Sequence, residues 1–233
     1  MAFPFVIKAY TFGLDAATMT NLCAALETLI LRHRLIGTRA EIERRINDEY
    51  KNFTNENRDI TPITDRVNLL KTTEDWWQAY WNNNELERAI QGDINHAVAR
   101  YLLWRYENYL ESKGKPGYLG YLPKRFNQIE NPELEHIAPV TEPKTEPQKP
   151  HGYDMYDEDF KNNYINCLGN FLLISKPHNS AIGNIPFAEK HKTYDYLAQQ
   201  REIQKMVPED GMWGKEAILK RKEIIIKFIM DTF

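Results

Sequence analysis

Four polar residues beside two short apolar stretches form the set best able to do chemistry in this sequence. His136 follows Glu135 in one stretch, Asn170 opens the next, and Asn179 comes just after it. Histidine has an ordinary pKa of about 6.5, so His136 is largely neutral at cellular pH and can take a proton from water. The set predicts a base and a metal-binding pair placed around one phosphate.

The predicted metal-binding pair is Glu135 and Asn179, which together offer one carboxylate and one amide oxygen. Mg²⁺ prefers one or two protein oxygens and keeps several waters, whereas zinc prefers nitrogen and sulfur. The pair therefore favours Mg²⁺, or Mn²⁺, which would offset charge on the phosphorus and on the leaving oxygen. The chain has only two cysteines, far apart, which excludes a Cys-rich zinc site and fits a reducing cytoplasm.

The stretches 135–139 and 168–173, followed by His178-Asn179-Ser180, resemble the HNH, or ββα-metal, nucleases. More narrowly, they resemble the C-terminal nuclease domain of GmrSD-like restriction systems. Phe171 and Leu172 depart from the Leu-Thr usual in the family, which changes packing rather than chemistry. The resemblance implies metal-dependent hydrolysis of DNA phosphodiester bonds, in the restriction of phage or modified foreign DNA.

The resemblance also implies a role for each site residue. His136 would be the general base, and Glu135 and Asn179 would hold the divalent metal. Asn170 would brace the active-site loop and help to orient the histidine. Lys190, in a downstream motif, could contact a DNA phosphate.

The position of Glu135 beside His136 leaves an alternative open. Neighbouring side chains of a strand point to opposite faces, so both can address one phosphate only if the strand ends or kinks there. Pro139 makes an early strand end plausible. If Glu135 faces away, Asp157 or Asp159 from the following loop could supply the missing oxygen.

Two further groups of residues have a chemical and a structural interpretation. His178 is a rival ligand to Asn179, but on a helix it would lie about 100° away around the axis. The tryptophans Trp76, Trp77 and Trp81 could stack nucleic-acid bases. Their helical spacing favours packing in a core or between domains.

The first 120 residues are predicted to be helical. Residues 14–35 form one amphipathic helix ended by Gly37, and Thr38 is placed as the N-cap of the next. Another helix is predicted to begin at Thr73, and a further one spans about residues 94–112.

From residue 121 the pattern changes to short strands. Residues 134–138 and 172–174 are predicted strands joined by a Pro-rich loop, and a helix is predicted from Pro186 to about Gln200. The predicted fold class is mainly α with a small ββα-metal nuclease core, an α+β fold. The predicted domains are a helical domain at 1–120 and an HNH-type nuclease domain with a helical C-terminus at 121–233.

The net charge of the chain and the length of its apolar runs limit how it can bind DNA or a membrane. The net charge is −3, so a protein that binds DNA must concentrate positive charge locally. No apolar run approaches the roughly 20 residues that span a bilayer, so no membrane is expected and the location is predicted as cytoplasmic. The resemblance implies, as a partner, an N-terminal ParB-like nucleotide-hydrolysing domain or a separate subunit on another chain. A homodimer would let two sites cut both strands.

Two other functions remain open from the sequence. The chain could be a non-catalytic module that binds DNA or docks a partner within a larger restriction complex. It could also cut RNA, because the chemistry at phosphorus is shared.

Overall fold

The computed structural model describes residues 2–112, 129, 131–146 and 148–233. Its backbone contacts cluster into two compact units, Met1–Gln91 with Met230–Phe233, and Gly92–Ile229. The boundary predicted between residues 120 and 121 lies outside the described residues, so that division stays a prediction. Helices dominate the described chain, and a small antiparallel sheet lies in the second unit. The predicted class, mainly α and α+β, is confirmed.

The first unit is helical throughout its described residues. Its elements are α1 (Ala2–Thr11), α2 (Ala16–Ile36), α3 (Ile42–Asn52), α4 (Thr61–Thr72), a 3-10 turn (Ala79–Trp81) and α5 (Asn83–Ile90). The prediction for α2 is confirmed: the Asp15 carboxylate accepts from the Thr18 amide at its start, and Gly37 ends it with φ of 67°.

Two local predictions in this unit are wrong. Thr38 is not the N-cap of α3, because its hydroxyl accepts from the Ala40 amide and the helix begins only at Ile42. No α-helix begins at Thr73, which instead ends α4. The Asp75 carboxylate accepts from the Trp77 amide, and this local bond stabilises a turn in place of a helix.

The turn after Thr73 also decides where the tryptophans lie. Trp81 is fully buried, as the packing interpretation predicts. Trp76 and Trp77 are 68% and 56% exposed, and their rings stack on each other with centroids 4.0 Å apart. For these two, the expectation of core packing is wrong, because the turn directs them to solvent.

A buried arginine ties the first unit together. Arg32 is fully buried, and its guanidinium donates to the carbonyl oxygens of Phe233 and Trp81 and to Asn83 Oδ1 at 2.7–2.8 Å. A buried charge is costly unless it is hydrogen-bonded, and here three donors have oxygen partners. Burial lowers the pKa of Arg32 to about 10, so it remains a cation at neutral pH.

The second unit holds the sheet. Its elements are α6 (His96–Ser112), β1 (Pro132–His136), α7 (Glu158–Asn163), a 3-10 turn (Leu168–Asn170), β2 (Phe171–Ser175), α8 (Lys176–Ile182), α9 (Phe187–Lys190), a 3-10 turn (His191–Thr193), α10 (Ala198–Met206) and α11 (Lys215–Thr232). β1 and β2 pair antiparallel, with His136 opposite Phe171. The order β1, β2, α8 is the strand–strand–helix order predicted from the sequence.

The single helix predicted from Pro186 to Gln200 is divided between α9 and α10. The side chain of Gln200 accepts from the amides of Tyr196 and Leu197, which fixes a new helix start there. Among the described residues, none of the helices combines the length and the apolar character that a bilayer crossing requires.

Side chains of α10 hydrogen-bond the backbone of β2 on the edge that does not pair with β1. The Leu173 amide donates to the side-chain oxygen of Gln199 at 3.1 Å, and Gln200 donates to the Leu173 carbonyl at 3.4 Å. Glu107 on α6 is fully buried and accepts from the amides of Ala198 and Gln199 at the start of α10. An anion is favourable at a helix N-terminus, so this carboxylate fixes α10 against the sheet.

The 3-10 turn before β2 lies against the backbone of α11. Gly169 is the point of closest approach, since a Cβ there would lie 1.9 Å from the carbonyl oxygen of Ile218. Arg221, also on α11 and fully buried, donates to the carbonyls of Leu168, Gly169 and Phe171. The glycine is therefore required by packing.

We predict that Gly169→Ala destabilises the protein by about 3 kcal/mol, because α11 must move away from the new methyl group. Urea unfolding followed by circular dichroism measures the effect. Gly92→Ala is the matched control: no atom lies within 4 Å of the position that its new methyl group would take, so its stability should stay within about 1 kcal/mol of wild type. Equal stability of the two variants would contradict the packing argument.

Candidate functional site

The end of β1 opens into a cavity that gathers most of the predicted site residues. The cavity measures about 260 Å³. It is lined by Leu134, Glu135, His136, Pro139, Val140, Thr141, Asn179, Asn184 and Lys190. The structure thus brings Glu135, His136, Asn179 and Lys190 to one place, while Asn170 lies behind it. β1 brings the first two, α8 carries Asn179, and α9 ends at Lys190.

Asn170 holds the chain that follows β1. Its side chain is fully buried; Oδ1 accepts from the Ala138 amide at 2.8 Å, and Nδ2 donates to the carbonyls of Ala138 and Ile165 at 2.8 and 2.9 Å. The Ile137 amide donates to the carbonyl of Asn170 itself at 2.9 Å. These bonds brace the loop directly after His136. Bracing this loop is one of the two roles predicted for Asn170; the other is to help orient the histidine.

His136 is half-buried and held at one ring nitrogen. Nε2 lies 3.1 Å from Asn166 Oδ1, and the ring packs edge-on against Phe171 with centroids 4.9 Å apart. The His96 ring lies 5.8 Å away. Burial lowers the pKa of His136, an effect that the hydrogen bond to Asn166 partly opposes. The imidazole is therefore neutral at physiological pH.

Asn166 also selects the tautomer of His136. An amide oxygen only accepts, so a ring nitrogen facing it carries the proton. Nε2 is then the donor, and among the described residues no group bonds Nδ1, which keeps its lone pair. This is the arrangement that a general base requires.

Glu135 forms a buried ion pair with Lys190. The two side chains are 7% and 1% exposed, and Tyr194 Oη lies 3.4 Å from the same carboxylate. The Lys190 ammonium also donates to the carbonyls of His136 and Ile137 at 3.0 and 3.3 Å. Burial raises the pKa of Glu135 and lowers that of Lys190, while each partner opposes the shift of the other. We take the pair as charged, because carboxylate and ammonium are in direct contact.

These contacts occupy the group of Lys190 that was expected to contact a DNA phosphate. The ammonium has three donors, and Glu135 and two carbonyls take all three. Lys190 is thus the internal counter-ion of Glu135 beneath the cavity. A phosphate contact would require it to give up these bonds.

Asn179 is held in place by a residue that the sequence did not single out. Its Nδ2 donates to Glu133 Oε2 at 2.9 Å, which leaves the amide oxygen without a hydrogen bond among the described residues. The rival ligand His178 is instead bonded to Thr193 Oγ1 at 2.8 Å. Of these two neighbours in the chain, Asn179 lines the cavity and His178 does not.

The alternative oxygen ligands from the loop have other partners. Asp157 caps α7 by accepting from the Phe160 amide at 2.7 Å. Asp159 is paired with Lys215 at 2.6 Å. Neither lines the cavity, whereas Glu135 does.

The partners of β1 show that its side chains alternate as a strand requires. Glu133 and Glu135 contact Asn179, Lys190 and Tyr194, whereas His136 contacts Phe171 and His96. Glu135 and His136 point to opposite faces of the strand. Because β1 ends at His136, both residues still line the one cavity at the strand end.

The donor set of the cavity fits a hard divalent cation that keeps most of its waters. The candidate atoms are the amide oxygen of Asn179 and the carboxylate of Glu135, which Lys190 already contacts, and oxygen is the ligand type that Mg²⁺ prefers. In the part of the chain that the structure describes, no three His, Cys, Asp or Glu side chains cluster as a closed metal cage would need. An open, oxygen-lined site therefore fits better than a zinc centre.

Three residues of the site were missed from the sequence. Asn166 and Glu133 orient His136 and Asn179 through side-chain bonds between residues 30 and 46 positions apart. The His96 ring lies 5.8 Å from that of His136, because α6 belongs to the same compact unit as the sheet. No local spacing signals these contacts, since each depends on the tertiary packing.

The chain combines a strand–strand–helix unit in a mainly α fold with a neutral histidine and oxygen donors at one cavity. A family model, GmrSD restriction endonucleases, C-terminal domain, matches residues 78–228 of the 233-residue chain. The chain belongs to this family, which indicates a function related to restriction endonucleases and implies DNA as the substrate. Comparisons with curated proteins and with solved structures found no match.

We predict that Asn170→Ala destabilises the protein by about 3 kcal/mol, because it leaves buried backbone groups of Ala138 and Ile165 without partners. Thermal unfolding measures this. Asn179→Ala is the matched control: it removes one half-buried hydrogen bond and should cost less than about 1 kcal/mol. If Asn170→Ala unfolds at the wild-type temperature, Asn170 does not brace the loop.

We predict that Asn166→Asp raises the pKa of His136, since a carboxylate at Nε2 stabilises the imidazolium. The shift should be about 1 unit, measured from the ring proton signals by NMR titration of the metal-free protein. In wild type the pKa lies below its usual value, so protonation on acidification begins only at lower pH. Asn163→Asp, outside the cavity, should leave the titration unchanged. An unchanged His136 pKa in Asn166→Asp would show that the two side chains do not interact in solution.

Proposed function

We propose that the protein is an HNH-type, metal-dependent endonuclease that hydrolyses phosphodiester bonds of DNA. The observation that carries this proposal is the cavity at the end of β1. There, a neutral His136 with a free Nδ1 lies with Asn179 and Glu135, the oxygen donors expected beside it. The match to the restriction endonuclease family supports the same chemistry.

His136 is the general base of the proposed reaction. Its lowered pKa keeps the ring unprotonated, the bond to Asn166 occupies Nε2, and the residue lines the cavity. There it takes a proton from the water that attacks phosphorus, and the Asn166 oxygen stabilises the resulting imidazolium. Asn170 supports this geometry by holding Ala138, two residues further along the chain.

Asn179 and Glu135 would hold the divalent ion, Mg²⁺ or Mn²⁺. When bound, the ion supplies charge stabilisation for the phosphate and the leaving oxygen. Glu133 orients the amide of Asn179 towards this task, and Lys190 keeps Glu135 ionised beneath the cavity.

The family match supports a role in restriction, and the targets that we propose are phage or modified foreign DNA. A ParB-like nucleotide-hydrolysing partner and a homodimer are part of the same proposal. A homodimer would supply the second site for a double-strand break. A non-catalytic DNA-binding module would not require the tautomer control that Asn166 exerts on His136, which favours catalysis.

We predict that the purified protein nicks supercoiled plasmid with Mg²⁺ or Mn²⁺ and not with EDTA, and that His136→Ala lowers the rate at least about 100-fold, as expected for loss of a general base. Agarose gels of initial rates measure this. Linear RNA under the same conditions tests the alternative substrate.

His191→Ala is the matched control, because His191 is a half-buried histidine outside the cavity. It should cut at the wild-type rate. Metal-dependent cutting that survives in His136→Ala would refute the proposed base, whereas faster cutting of RNA would refute the substrate.

A further inference from the structure

A second cavity lies at the opposite end of β1 from His136. It measures about 400 Å³ and is lined by Arg100, Asn131, Pro132, Glu133 and Lys176. We call it the β1-start cavity. Two cationic side chains face one carboxylate there, so its lining carries a net positive charge in a chain whose net charge is −3. An anionic group is the ligand that such a lining favours.

The two cations are placed by the backbone at the start of β1. Arg100 Nη1 donates to the Pro132 carbonyl at 3.2 Å, which turns the guanidinium towards the cavity. The Lys176 amide donates to the Asn131 carbonyl at 3.1 Å, which fixes the start of α8 beside it. Asn131 adopts φ of 41°, a left-handed conformation that asparagine tolerates and that turns the chain into β1.

The charge of these cations is largely unused within the protein. Lys176 is exposed, and within the described ranges its ammonium forms no hydrogen bond or ion pair. Arg100 bonds only the neutral Pro132 carbonyl there, so its remaining donors are available. The one carboxylate of the cavity, Glu133, already accepts from Asn179.

The β1-start cavity and the proposed cutting site lie at opposite ends of the same strand. His96 lies beside His136, and Arg100, one helical turn further on, lies beside Pro132. The side of α6 that carries His96 and Arg100 thus runs along β1. Pro132 and His136 are four residues apart on the strand, a distance of about 13 Å at roughly 3.3 Å per residue.

We propose that Arg100 and Lys176 bind a phosphate of the DNA backbone that lies about 13 Å along β1 from the phosphate that is cut. This inference rests on the proposed nuclease function and adds the direction in which the DNA lies, along β1 and α6. Arg100 is suited to paired hydrogen bonds with a phosphate, and Lys176 to a point-charge contact. The contact positions the DNA without reading its sequence.

The test is the salt dependence of binding to a fluorescein-labelled DNA duplex in EDTA, where no cutting occurs. Each lost phosphate contact lowers the slope of log K against log[salt] by about 0.9. Because both side chains bind one phosphate, the double variant of Arg100→Gln with Lys176→Gln should lower the slope by about 0.9, and each single variant by a smaller amount. Two duplexes of unrelated sequence should be affected equally.

Lys220→Gln is the matched control, since Lys220 is an exposed lysine on α11 outside both cavities. It should keep the wild-type slope. A double variant with the wild-type slope would overturn the inference, and so would absence of DNA binding by the wild-type chain. A loss restricted to one duplex would also overturn it, because it would indicate base recognition. Plasmid nicking in Mg²⁺ tests the nuclease function separately, so the two failures are distinguishable.

Discussion

The buried amide of Asn170 is the interaction on which the geometry of the site depends. One side chain satisfies both backbone groups of Ala138 and the carbonyl of Ile165, so it joins the chain after β1 to the turn before β2. A buried amide in this position has few alternative partners, which gives the loop one conformation. Arg221 and the close contact at Gly169 hold the same turn against α11. The position of His136 therefore depends on a helix near the end of the sequence.

Buried charges around the sheet fix its neighbours. Glu135 with Lys190, and Glu107 with the start of α10, each place a charged group among hydrogen-bond partners in the interior. Such groups contribute little net stability, because desolvation offsets much of the attraction, but an incorrect packing would leave them unpaired. Here they specify which residue lies where: Lys190 under the end of β1, and Gln199 at the edge of β2.

The sheet separates two sets of functional groups. Glu133, Glu135 and Asn179 occupy one side of β1, and His136 with Asn166 and His96 occupies the other. They meet because β1 ends at His136 and the chain turns there. A longer strand would place the base and the oxygen donors on opposite faces, so the short length of β1 is itself a requirement of the site.

The sequence alone determined the helices with clear caps, the two strands and the motif residues, because these depend on local periodicity and residue type. α2 with Gly37, α6 and β2 were all predicted within a few residues. The tertiary structure decided the rest. Asp75 formed a turn where the tryptophan spacing predicted a helix, and folding made Lys190 the buried counter-ion of Glu135. Asn166, Glu133 and His96 reach the site only through folding, because their partners are distant in sequence and no local pattern records such pairings.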